Sequence, residues 1–176
     1  HDLDLLIRPL RGDTDFSAQF DQLIRGRRAD GLILADTRVA DERVAHLAAA
    51  GLPFVAFGRT ESAVAYPYVD LDSQAGMVAA VDHLIAAGHR RIAYLSMPLV
   101  YSYAHHRYEG YLQALAGAGL AADPALVTNN LSAETETRAA VHQLLRLPAP
   151  PTAIAAASDL LAIYAMRALE DAGRRP

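Results

Sequence analysis

A chain of 176 residues with 52% hydrophobic and 20% charged residues has the composition of a globular protein of one domain or two small lobes, which excludes disordered and collagen-like classes. Sixteen basic against twenty acidic residues give a net charge of −4 and a pI near 5.9, whereas a surface that grips duplex DNA needs clustered Lys and Arg. Cysteine is absent, which removes disulfide scaffolds, thiolate zinc sites and cysteine nucleophiles. No apolar run approaches the roughly 20 residues of a membrane span, and no stretch has the layout of a secretory signal.

Short apolar runs alternate with helical patterns along the whole chain. Leu3 to Ile7 reads as a strand, and Phe16, Phe20, Leu23 and Ile24 then stripe an amphipathic helix. Gly31 to Ala35 is a buried strand, followed by a helix near Asp41 to Ala50 that Gly51 and Pro53 stop. Phe54 to Phe57 is the next strand and Tyr68 to Leu71 a short one. The rhythm then restarts. Met77, Val81, Leu84 and Ile85 stripe a helix ending at Gly88; Ile92 to Leu95 is a strand; Tyr108, Tyr111, Leu112 and Leu115 stripe another helix. Ala125 to Thr128 is a weak strand, and Val141, Leu144 and Leu145 mark a helix ended by Pro148, Pro150 and Pro151. Ala153 to Ala157 is a strand of small residues, with Leu161, Tyr164, Ala165 and Ala168 marking the last helix. Continuous apolar strands each followed by a helix imply parallel sheets covered on both faces and right-handed crossovers. The expected fold class is therefore α/β, with two doubly wound lobes meeting in the polar stretch Arg59 to Asp72.

Little of the chemistry points to an enzyme. Neither G-x-G-x-x-G nor G-x-x-x-x-G-K-[ST] occurs, so no nucleotide cofactor is expected. His105 and His106 are adjacent and on a helix point about 100° apart, and neither His83 nor His89 sits in an H-E-x-x-H spacing. No metal is expected. Ser96 lacks a nucleophile elbow. Asp70 and Asp72, at i and i+2, share one side of an extended strand and could hold a cation, contact a polar ligand or serve acid–base work, but the favoured reading is that Asp72 or Ser73 caps the following helix. Doubly wound sheets bind ligands at the carboxyl ends of their strands. Ser158-Asp159 stands at such an end, where the pair would also cap a helix. Arg107 is expected in the opening turn of the helix after a loop from Met97 to His106, a poor place for a cation beside the positive end of the macrodipole. An anion or several hydroxyls facing it would explain it, and so would an internal carboxylate partner. Tyr101 and Tyr103 precede it with rings suited to a sugar face.

The pattern resembles the effector domain of LacI/GalR-type bacterial transcription regulators. The resemblance lies in Ala29-Asp30-Gly31-Leu32-Ile33-Leu34, Gly51-Leu52-Pro53-Phe54-Val55, Asp72 with Gly76, and His83-Leu84-Ile85-Ala86-Ala87-Gly88-His89-Arg90-Arg91-Ile92-Ala93. It continues through Arg107-Tyr108-Glu109-Gly110-Tyr111, Pro151-Thr152-Ala153-Ile154 and Ser158-Asp159-Leu160-Leu161-Ala162, in family order over essentially the whole chain. It implies two Rossmann-like lobes of the periplasmic-binding-protein type, residues 1–72 and 73–176, a ligand cleft between them and a homodimer. It also implies that the chain is a fragment, incomplete at both ends: the first strand and helix and the last strands and crossovers of the domain are expected to be missing, as is a DNA-binding headpiece. Operator DNA would be bound only through that headpiece, in the cytoplasm, with no membrane contact.

By position, Arg107 looks like the family arginine that binds effector hydroxyls or carboxylate, and Asp159 like the aspartate that completes the polar site. Ser158 stands where many members have asparagine, Asp72 starts the crossing between lobes, and Tyr101 and Tyr103 fall on a variable effector-reading loop. Leu131 occupies a place where an aromatic ring often lies under the ligand, and Arg59 follows the third strand near the cleft. The implied effector is a sugar or sugar derivative that controls DNA binding allosterically. A periplasmic sugar-binding protein of a transport system shares the fold and is the alternative.

Overall fold

A computed structural model describes residues 4–7, 16–26 and 28–175. The chain divides into two compact units, His1–Asp70 and Leu71–Pro176. The division falls two residues before the expected boundary because Asp72 already belongs to the next helix as its N-cap.

In the first unit the described elements are α1 (Phe16–Arg25), β1 (Leu32–Leu34), α2 (Glu42–Ala50), β2 (Phe54–Phe57) and β3 (Tyr68–Val69). The strands form a parallel sheet in the order β1-β2-β3. Phe20 and Leu23 of α1 and Val44 and Leu47 of α2 close over Leu34 and Ala56, so one face of the sheet carries the core. The other face is not covered among the described residues: Ile33 is 68% and Phe57 52% exposed. The strand expected over Leu3 to Ile7 is not found. Leu3 lies outside the described residues, and residues 4–7 are exposed and outside any sheet. An apolar run becomes a strand only where a neighbouring edge takes its backbone hydrogen bonds, and here no described strand does so.

Asp41 organises the carboxyl end of this sheet. Its side chain caps α2 through the Arg43 backbone N–H at 3.1 Å and accepts from the Arg38 N–H at 3.0 Å. Arg43 also grips it with Nε at 2.8 Å and a second guanidinium nitrogen at 2.6 Å. The Asp41 N–H donates to the Thr60 hydroxyl at 3.1 Å, which itself donates to the Val39 carbonyl at 2.7 Å. The loops after β1 and β2 are thereby tied together.

The second unit holds α3 (Ser73–Ala86), β4 (Ile92–Leu95), α4 (Ser102–Gly117), β5 (Val127–Thr128), α5 (Glu134–Leu145), β6 (Ala153–Ala156) and α6 (Asp159–Asp171). Its parallel sheet runs β5-β4-β6. The strand β4 is buried throughout. Ala93 and Leu95 pack with residues of α5 and α6, while Ile92 and Tyr94 pack with residues of α3 and α4, so helices cover both faces as a parallel sheet requires. The weak strand expected over Ala125 to Thr128 is half a turn: Pro124–Leu126 form a 3₁₀ turn, with the Asp123 carboxylate accepting from Ala125, and only Val127 and Thr128 pair with β4. Likewise Leu71 lies outside β3 and Ala157 outside β6, although the Ala157 N–H still donates to Leu95 at 2.8 Å.

Helices α3 and α4 meet where Gly110 is buried against the Gln74 carbonyl, and a Cβ at 110 would collide with that oxygen and crowd Met77. Replacing a helical glycine by alanine normally gains up to about 1 kcal/mol. Gly110→Ala should instead lose about 1–3 kcal/mol in chemical denaturation, because overpacking forces the two backbones apart. Gly117→Ala, with open space around its Cβ position, serves as the control and should not lose stability.

Burial pushes the Asp41 carboxyl upward, but the Arg43 and Arg38 contacts outweigh it and hold the group below the ordinary carboxylate range. A carboxyl that binds its proton less tightly when folded stabilises fully above the unfolded value of about 4 and loses that contribution as pH falls through the depressed folded value. Asp41→Asn should therefore lower stability by about 1–3 kcal/mol at pH 7 and flatten the acid limb of a stability–pH curve.

Candidate functional site

The second unit contains an open cleft of about 250 Å³ lined by Leu71, Asp72, Ser73, Gly76, Met77, Arg107 and Ala157. Three segments far apart in sequence build it: the N-terminal turns of α3, the second turn of α4 and the end of β6. Asp72 is fixed by capping α3, its carboxylate accepting from the Ala75 N–H at 3.0 Å, so of the roles open to it in the sequence the cap is made. The close approach at Gly110 holds α4 against α3, and Arg107 lies one turn before Gly110 on α4.

Arg107 is the cleft's cation. One guanidinium nitrogen donates to the Ala157 carbonyl at 2.6 Å, and its central carbon lies 5.4 Å from the centroid of the Tyr103 ring. Its placement differs from the expected opening turn after a ten-residue loop. α4 begins at Ser102, so Arg107 is in the second turn and His105 and His106 are helical rather than in a loop. The macrodipole argument against a first-turn cation therefore does not apply, and the partner is a backbone carbonyl rather than an internal carboxylate.

The expected effector-reading loop is likewise shorter. Tyr101 is the N-cap residue of α4 and Tyr103 lies in its first turn, with their rings stacked at 5.6 Å and 8°. The Arg107 guanidinium thus lies over Tyr103, whose ring stacks on that of Tyr101. Ser158 caps α6 by accepting from the Leu161 N–H at 3.3 Å, and the exposed Asp159 accepts from Leu160 at 3.0 Å. Neither lines the cleft in this structure; the residue before them, Ala157, does. Leu131 is 4% exposed and packs in the core with Leu95, Leu126 and Val141. A leucine at this place completes the hydrophobic interior and offers a ligand almost no side-chain surface, which corrects its expected place in the site. Arg59 belongs to the first unit, where its Nε lies 3.4 Å from Asp70, so Asp70 pairs with Arg59 while Asp72 caps a helix. They do not act as a carboxylate pair.

Leu71, Ser73, Gly76, Met77 and Ala157 also line the cleft, and the sequence does not point to them as site residues. Met77 reads as part of a helical core stripe and Ala157 as a strand end; no local pattern marks either as surface. His105 lies 3.5 Å from Glu109, and His89 meets the Thr152 hydroxyl at 3.0 Å. Among the described residues no three His, Asp or Glu side chains gather as a metal site.

Residues 1–175 match the family described as periplasmic binding proteins and sugar-binding domain of the LacI family. The chain belongs to that family. It is 40% identical over 176 residues to the transcriptional regulator RafR of Escherichia coli, covering 99% of this chain and 51% of that protein. To the regulator AglR of Rhizobium meliloti it is 34% identical, covering 98% of this chain and 49% of that protein. The chain thus spans about half the length of the curated relatives it matches. Among solved structures, a transcriptional regulator from Yersinia pestis superposes with a TM-score of 0.88 at 34% identity, covering 97% of this chain and 61% of that one. A complex of the regulator CelR with cellobiose gives 0.77 at 33% identity, covering 90% and 49%. The family fold is that of the two parallel α/β units, and its named relatives are transcriptional regulators rather than enzymes.

Because the Arg107–Ala157 bond joins α4 to the end of β6, Arg107→Ala should lower stability by about 1.5–3 kcal/mol, the value of a hydrogen bond from a charged donor. Arg107→Lys should recover only part of this, since an ammonium lacks the planar fork. Urea titration of the three chains measures both effects.

Proposed function

We propose that this chain is the effector-binding and dimerisation part of a LacI-type transcriptional regulator. It takes a sugar or sugar derivative in the cleft at Arg107, and the bound ligand shifts a DNA-binding headpiece between competent and incompetent states in the cytoplasm. The observation that carries the reading is Arg107 itself. A guanidinium has five N–H donors, and its one hydrogen bond among the described residues goes to Ala157. Arg107 and Asp72 line the same cleft, and the guanidinium lies over the Tyr103 ring that stacks on Tyr101, a donor, acceptor and flat-ring combination suited to hydroxyls on a pyranose. The CelR–cellobiose complex supports a saccharide ligand for a relative of the same fold. The net charge of −4 agrees with DNA contact residing in another part of the regulator. Control of DNA binding requires only that the ligand prefer one state, with couplings of about 1–3 kcal/mol.

Thermal shift of the intact regulator against glucose, galactose, sucrose, cellobiose and raffinose tests the ligand class, since a ligand at 100 Kd adds about 2.7 kcal/mol. Titration calorimetry with the best binder then tests the site. With two charge-assisted bonds from Arg107 at about 1.5–3 kcal/mol each, Arg107→Ala should weaken binding by about 3–6 kcal/mol, roughly a hundred- to ten-thousandfold. An alanine variant that binds within threefold of wild type would remove Arg107 from the site.

Dimerisation is assigned to α6. Leu160, Ile163 and Met166 are 51%, 46% and 47% exposed and recur every three residues along one side of the helix, an apolar line that a second copy of the chain would cover. Light scattering should report a dimer for the intact protein and a monomer after Ile163→Asp with Met166→Asp. An unchanged dimer would place the interface elsewhere.

A further inference from the structure

Gly76 is a helix residue that neither backbone nor packing explains. It lies in α3 one turn after the cap, its N–H donating to the Asp72 carbonyl at 3.0 Å as in any α-helix, and it is not among the glycines with positive φ. Glycine suits a helix interior less than any residue but proline, because it loses the most backbone freedom on ordering. Elsewhere in the fold the reason for a helix-associated glycine is visible. Gly51 takes a left-handed stop, and at Gly110 a Cβ would collide with the Gln74 carbonyl. At Gly76 a Cβ would meet nothing within 4 Å. Gly117 is equally open, but it is the last residue of α4, where helices fray and a glycine costs little.

The open space at Gly76 is the cleft. Gly76 lines it together with Asp72, Ser73, Met77 and Arg107. Asp72 and Gly76 stand four residues apart, which brings them to one side of the helix, and the Cα–Cβ bonds of a helix tilt toward its N-terminus. A side chain at 76 would therefore lean over the first turn of α3 toward Asp72 and take up part of a cleft of only about 250 Å³.

We propose that Gly76 determines which ligands the cleft accepts: the missing side chain leaves room for a ring of the bound sugar to lie against the backbone of α3 while Arg107 and Asp72 meet its hydroxyls. The inference rests on reading that cleft as the effector site. Arg107 and Asp72 offer polar contacts that any hydroxylated ligand can use; the bare surface at residue 76 supplies the shape. Discrimination by shape works through exclusion. Alanine or leucine at 76, both better helix formers, would strengthen α3 and narrow the cleft.

The test is Gly76→Ala and Gly76→Leu in the intact regulator, with Gly117→Leu as the control outside the cleft. Melting curves without ligand come first. Gly76→Ala should melt a few degrees higher, since nothing opposes its Cβ; a variant that melts lower shows that the fold itself requires the glycine, and overturns the proposal with no ligand involved. Calorimetry follows with glucose, galactose, sucrose, cellobiose and raffinose. For each sugar that binds the unsubstituted regulator, Gly76→Ala should weaken binding severalfold and Gly76→Leu roughly ten- to hundredfold, with Gly117→Leu within twofold of the unsubstituted protein. Arg107→Ala, titrated in the same series, separates this proposal from the reading beneath it. If Arg107→Ala weakens binding and Gly76→Leu does not, the proposal is overturned while the effector site stands. If neither weakens binding, the sugar sits elsewhere and both are overturned.

Discussion

The second unit depends on one close approach, that of α4 to α3 at Gly110. A glycine whose missing side chain leaves room for the Gln74 carbonyl lets two helix backbones come nearer than any other residue would allow. That nearness has consequences in both directions along α4. Toward the C-terminus it lets Gln113 reach Gln74 at 2.8 Å and Tyr111 fold under β4 to the Ile92 carbonyl. Toward the N-terminus it swings Arg107 beside Ser73 and Met77, where the end of β6 supplies Ala157 as anchor. A cleft that joins residues 71–77, 107 and 157 is thus a by-product of helix packing.

The strand β4 carries the other half of the arrangement. It is central in its sheet and buried on both sides, with alternate residues serving different helix layers. Ala93 and Leu95 are interchangeable with other apolar residues in kind, as the α5–α6 layer asks only for volume. Tyr94 differs, because its ring stacks on Tyr111 and tilts against Tyr108 in the layer formed with α3 and α4. Polar atoms in such a place cost free energy unless something answers them, so a tyrosine here is more informative than a tyrosine on the surface. In the first unit the equivalent organising group is Asp41, which is fully answered: capped backbone, paired guanidinium and a threonine hydroxyl share its environment.

Most of the elements were legible because each rests on a local signal. Asp41 and Gly51 bracket α2 as cap and left-handed stop, Ser158 opens α6, and Ile92 to Leu95 reads as a strand because four consecutive apolar residues bounded by charge and turn have few other fates. The misreadings fall where a neighbour decides. Residues 4–7 are apolar enough for a strand, yet backbone groups pair only with an edge that is present. Ala125 and Leu126 turn because Pro124 fixes its own φ and Asp123 offers a carboxylate to the next N–H. The start of α4 carries no local signal because Tyr101 gives it no side-chain cap, and an uncapped helix announces itself only from its first buried turn.

Sequence alone determined the α/β class, the order of the elements, the family motifs and the candidacy of Arg107, since composition, periodicity, capping and motif order are properties of neighbouring residues in the chain. Tertiary structure decided which of these residues share a surface. It set Leu131 into the core, turned Asp70 to Arg59 and Asp72 to a helix end, and gave Arg107 a carbonyl fifty residues away. Those outcomes follow from how closely two helices and a sheet can pack, and that distance is fixed by side chains on all of them at once.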